Sequence, residues 1–190
     1  MARRLARTEV ILCASPEYLN RRGRPGHPDE LREHDTLLPP RSELQRGIVF
    51  QRGAWGDDEP PGETHTLVPR KPVLATSHLD TNYAAALHGL GVAGLPSFLI
   101  EDALLEHALE RVLPEWRLFS VDIWAAMPSR KHMPARTRAF LDFLLEVFGG
   151  EDRDPWLAAA GCETRVEVCG AAAPQAAAPA QALVEPLSAD

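Results

Sequence analysis

A chain of 190 residues with 45% hydrophobic and 25% charged side chains has room for one packed domain or two small lobes. Its formal net charge of -7 argues against nucleic-acid contact, because duplex affinity grows with the number of phosphates that Lys and Arg neutralise. No stretch approaches the roughly 18 apolar residues of a membrane-spanning helix, and three cysteines, Cys13, Cys162 and Cys169, make no disulfide framework.

Arginines follow Met1 without the apolar core of a secretory signal, so a reducing cytoplasm is the expected compartment. The apolar run 10–14 predicts a buried strand. Ser15, Pro16 and Glu17 then supply a cap, a first-turn proline and an acidic residue for the positive helix end. A short helix therefore starts there and stops by Gly23. Another begins at Pro28. Residues 39–72 are rich in Pro, Gly and charge, with short strands expected at 47–50 and 66–68 and an exposed loop at 53–62.

A strand at 73–75 leads into Thr76, Ser77, His78, Leu79 and Asp80, which read as a helix start with Ser77 as cap and Asp80 as its capping-box partner. Leu79, Tyr83, Leu87 and Leu90 share one face, and Gly89 and Gly91 end the helix. A strand at 92–95, a helix opened by Pro96 and Ser97, and strands at 111–113 and 121–127 follow. Pro134 opens the last helix, whose Phe140, Phe143, Leu144, Val147 and Phe148 recur at helical spacing before Gly149 and Gly150. Alternating strands and helices predict an α/β fold with a mainly parallel sheet over residues 1–150. Residues 151–190, an Ala/Pro-rich stretch poor in apolar bulk, are expected to be a disordered tail.

No nucleophile elbow, phosphate loop or dinucleotide fingerprint occurs, so no catalytic residue and no cofactor is expected. The histidines show no H-E-x-x-H spacing. Glu33, His34 and Asp35 read as solvated surface, and Cys162 and Cys169 lack two further ligands, so no metal is expected. The basic clusters Arg3, Arg4, Arg7 and Arg21, Arg22, Arg24 are not interleaved with aromatics, so no DNA-binding residue is assigned. Two positions suit a ligand. Where a strand hands over to a helix start, unpaired N–H groups and the positive dipole end attract a carboxylate or other polar group. These are Ser15 in one place and Thr76, Ser77 and His78 in the other. The competing reading makes the serines caps and nothing more.

The run 10–19 with Gly23, Arg24 and Pro25 resembles the "LVASPAYLxxxGxP" segment of LysR-type bacterial transcription regulators. The stretch 28–35 is similar to "PxDLxxHD", 84–96 to "AALxGLGIxxLP", 112–116 to "VLPDW", 128–134 to "YPSRRHLP" and 140–144 to "FLDFL". Together they span roughly residues 8–148. The resemblance implies the effector-binding domain of that family, with a fold like type 2 periplasmic binding proteins. The chain would hold mainly the second lobe, a mixed sheet flanked by helices, plus part of the first. A small-molecule effector would sit between the lobes of a homo-oligomer and allosterically control DNA binding. The segment at Ser15 would cross into the second lobe, 121–127 would return to the first, and Ser77 and His78 would take an effector-contacting position. The family's winged helix-turn-helix is absent from these residues, so the chain is expected to be N-terminally truncated. The helix stripe of Phe140, Phe143, Leu144 and Phe148 would then be exposed and prone to association. The alternatives are a stand-alone solute-binding protein of the same fold and a non-functional truncated gene product.

Overall fold

The computed structural model describes residues 2–39, 47–52, 62–70, 72–127, 134–148 and 154–162. Its spine is β1 (Ala2–Ala14), in which Val10, Ile11, Leu12, Cys13 and Ala14 are all buried. Successive strand side chains point to opposite faces. Ile11 and Cys13 accordingly enter one core cluster, Leu12 and Ala14 another. A continuous apolar run thus marks a strand covered on both faces. Burial pushes the Cys13 thiol up to about 12, so it is an inert core group.

α1 (Pro16–Arg22), a 3-10 helix (Pro28–Glu33) and β2 (Thr36–Leu38) follow. Then come β3 (Ile48–Arg52), β4 (Thr64–Leu67), β5 (Leu74–Ala75), α2 (Leu79–Leu87), β6 (Val92–Pro96) and α3 (Ser97–Leu105). The order closes with β7 (Glu110–Val112), β8 (Trp116–Arg117), β9 (Phe119–Ala126), α4 (Ala135–Phe148) and α5 (Pro155–Ala159).

The larger sheet runs β5-β2-β6-β1-β7, with β9 also on β1. Its direction differs from the expected mainly parallel arrangement. β5, β2 and β6 are mutually parallel, but β1 is antiparallel to β6, β7 and β9. The sheet is therefore mixed, as the family resemblance implies. β1 also starts at Ala2, earlier than its apolar run, because β9 pairs it from Ala2↔Ala126 to Val10↔Phe119. A second sheet, β4-β3-β8, covers the face holding Phe50, Leu67, Trp116, Tyr18 and Leu19. α2, α3 and α5 cover the other, where Leu95, Ile100, Ala103 and Leu157 pack.

Two expectations for the end of the chain change. α5 lies inside the stretch read as tail, yet Leu157 is buried in the main core and Cys162 with it. Asp154 followed by Pro155 is a helix-start signature, and the side chain of Asp154 accepts the N–H of Leu157. Residues 163–190, most of the 53–62 loop and the glycine stop at 149–150 lie outside the described residues. On α4, Phe140 and Phe143 are exposed as expected and Val147 is exposed beside them, whereas Leu144 is half-buried and Phe148 meets the ring of Trp156 on α5.

Candidate ligand-binding site

The pairings fix which strand ends share an edge. Cys13, Ala93, Leu37 and Leu74 form one row across β1, β6, β2 and β5. From that row, Ser15 lies two residues toward the amino ends of the parallel strands. Thr76 lies two residues toward their carboxyl ends. At 3.3 Å per residue and 4.8 Å per strand, this is about 13 Å along the strands and about 14 Å across them. The two lie at opposite ends of the strands, so the structure does not bring Ser15 together with Thr76, Ser77 and His78 in one crevice. The sequence placed each at a strand's carboxyl end, and each is there. The antiparallel course of β1 puts those ends on opposite edges.

Ser15 is buried and behaves as a cap. Its Oγ accepts the N–H of Tyr18 at 3.3 Å. A Cβ added at Gly89 would stand 3.3 Å from that oxygen, and Arg21 ties down the Gly89 carbonyl at 3.0 Å. The end of α2 therefore covers this edge.

At the opposite edge, the Thr76 backbone N–H is held by Leu38 O at 3.1 Å, and the Thr76 Oγ1 accepts the N–H of His78 at 3.1 Å. The N-cap of α2 is His78 rather than the expected Ser77, and the His78 side chain makes no cap bond. Ser77 and His78 are both exposed. One turn on, Asn82 is buried and donates to Thr76 O at 3.2 Å, while its Oδ1 has no hydrogen-bond partner among the described residues. This edge offers hydroxyls, an imidazole, helix N–H groups and a buried acceptor within two turns of chain.

The carboxyl end of β6 is filled differently. Val10 pairs with Pro96, which sets Thr8 and Glu9 beside Ser97. Thr8 Oγ1 and Ser97 Oγ are 2.8 Å apart, and Ser97 Oγ also donates to Asp154. Burial, reinforced by the Asp154 carboxylate, raises the Glu9 carboxyl to about 8, against the pull of Arg7, Arg117 and Arg111. This buried polar group escaped the sequence reading. Ser97 looked like a helix start only, and Asp154 lay in the presumed tail.

The basic clusters are engaged within the chain. Arg7 Nε pairs with Asp122 at 3.0 Å, and Arg24 makes a two-pronged contact to Glu110 with both bonds at 2.8 Å. Arg22 donates to the Glu33 carbonyl at 2.8 Å.

A family model described as the LysR substrate binding domain matches residues 1–149. The chain is 32% identical over 140 residues to the probable HTH-type transcriptional regulator LtrA of Klebsiella pneumoniae, covering 72% of this chain and 42% of that protein. It is 34% identical over 150 residues to the HTH-type transcriptional regulator PtxR of Pseudomonas aeruginosa, covering 79% and 45%. The chain thus spans less than half the length of these curated relatives. Among solved structures, the regulatory domain of AphB from Vibrio vulnificus superposes with a TM-score of 0.62 at 27% identity, over 77% of this chain and 68% of that one. The full-length Vibrio cholerae virulence activator AphB gives 0.64 at 26% identity, over 78% and 48%.

Proposed function

Because the chain belongs to the LysR substrate-binding domain family, we propose that it senses a small polar effector at Thr76, Ser77 and His78 for a longer cytoplasmic transcription regulator. The observation that carries this reading is the α2 start. It sits at the carboxyl ends of parallel strands, and its first-turn N–H groups receive no bond from the His78 side chain. Ligands of open α/β sheets settle at such ends, and the helix dipole favours a carboxylate there.

In the intact regulator, an effector that prefers one arrangement of the two lobes over the other shifts the oligomer's DNA-bound equilibrium by that difference in affinity. The chain supplies recognition and coupling, and no residue of the site is assigned to catalysis.

The test is a thermal-shift screen of small mono- and dicarboxylates on the chain, followed by calorimetry of any binder with Ser77→Ala and His78→Ala. Each variant should bind about tenfold more weakly, the value of one charge-assisted hydrogen bond. Wild-type affinity in both rejects this position.

A further inference from the structure

We propose that His27, Asp29 and His65 form a binding site for a divalent transition-metal ion of the zinc class. One ligand atom from each of the three lies within 4.8 Å of the other two. The Nδ1 of His27 stands 3.5 Å from Oδ2 of Asp29, and the Nε2 of His65 stands 3.2 Å from Oδ1. Zinc holds imidazole nitrogen and carboxylate oxygen at about 2.0–2.2 Å, so neighbouring ligands of a tetrahedral ion are about 3.3 Å apart. Each histidine nitrogen is thus already near that distance from one of the two Asp29 oxygens. Gathering the three onto one ion requires ligand atoms now within 4.8 Å of one another to draw closer.

The donor set selects the ion. Two imidazoles and one carboxylate suit zinc, nickel, cobalt or copper, whereas magnesium and calcium prefer all-oxygen sets. Three protein ligands leave a fourth position for water or another donor.

The scaffold supports the geometry. His65 is on β4, where it pairs with Phe50 of β3. His27 is the N-cap of the 3-10 helix that carries Asp29. The His27 and His65 rings meet edge to face with centroids 5.0 Å apart, and His27 rests against the ring of buried Trp116 at 5.5 Å. This indole floor limits the imidazoles to few orientations and keeps water off one side. Two groups must yield. The Nδ1 of His27 accepts the Asp29 N–H in a long contact of 3.3 Å, and Arg32 approaches Asp29 Oδ1 at 3.5 Å from a half-exposed side chain that can turn to solvent. A bound ion ties the 3-10 helix to the second sheet.

Calorimetry of the full chain with zinc chloride tests the site, with cobalt(II) absorption reporting ligand geometry. One equivalent should bind, and the melting temperature should rise with zinc. His27→Ala and His65→Ala should each weaken binding at least tenfold with the far-ultraviolet dichroism unchanged. Asp29→Asn, which preserves shape, should weaken it in the same direction. His107→Asn is the control: His107 is exposed at φ 56°, a conformation asparagine accepts, and its loss should leave zinc affinity intact. Absence of saturable binding overturns the proposal. So does wild-type affinity in the His27 and His65 variants, which would place zinc elsewhere, for instance on cysteine.

Discussion

The carboxylate of Asp154 accepts the backbone N–H of Glu9 at 2.7 Å, across 145 residues of sequence. The same carboxylate takes the Ser97 hydroxyl and the Leu157 N–H. It thereby ties α5, which lies beyond the family match, to β1 and α3. The cost falls on the Glu9 side chain, which shares this buried region with another carboxylate.

Glu9 makes stability depend on pH with a definite sign. Its carboxyl titrates near 4.5 in the unfolded chain and near about 8 in the folded one. Between these values the folded state holds a proton that the unfolded state has released, so stability falls as pH rises. The contribution is complete below 4.5 and lost above about 8. Melting temperatures from about pH 5 to about pH 9 should decline more steeply in the wild type than in Glu9→Gln. Parallel profiles would show that Glu9 ionises normally.

Gly91 has no room for a methyl group. An added Cβ would lie 2.4 Å from Asp35 O, and that oxygen cannot retreat because it accepts the Val92 N–H at 2.8 Å. Gly91→Ala should cost about 3 kcal/mol in urea denaturation. Gly23→Ala has open space within 4 Å, but φ +90° with ψ 166° is a conformation nearly confined to glycine, and it should cost about 2 kcal/mol.

Ser15→Ala separates a cap from a binding residue. Losing the Oγ bond to Tyr18 N–H should destabilise the chain by about 1 kcal/mol. Carboxylate binding at α2 should stay at its wild-type value, since Ser15 is on the opposite sheet edge. Weakened binding without unfolding would mean that the two edges communicate.

The α4 surface should drive self-association. Phe140, Phe143 and Val147 are 59%, 57% and 55% exposed, more than a lone soluble domain tolerates as a cluster. Sedimentation should show concentration-dependent assembly of the wild type, reduced in Phe140→Ser/Phe143→Ser. A monomeric wild type at high concentration would contradict this.

Local chemistry made several elements legible from sequence. Ser15, Pro16 and Gly23 bracket α1 because a cap, a ring-fixed φ and a positive-φ glycine stop each act within one turn of chain. The run 10–14 marked a strand buried on both faces because side-chain alternation is a property of the strand itself. The start of α2 was legible to within one residue, with His78 in place of Ser77 as N-cap. β2 and β8 escaped, being only three and two residues long and defined by their pairing partners.

Direction and distance belonged to the tertiary structure. An apolar run has the same composition whichever way its strand points, so only the antiparallel pairing of β1 with β6, with β6, β2 and β5 mutually parallel, shows that Ser15 and Ser77 leave the sheet at opposite edges. Asp154 reads as part of a polar tail until the buried N–H of Glu9 and hydroxyl of Ser97 need an acceptor. His27, Asp29 and His65 show no metal-ligand spacing, because β4 brings His65 to the 3-10 helix from 36 residues beyond Asp29. Local preferences act over a few bonds and are written in the order of residues. Groupings such as these arise from burial and strand pairing between distant segments, which that order does not record.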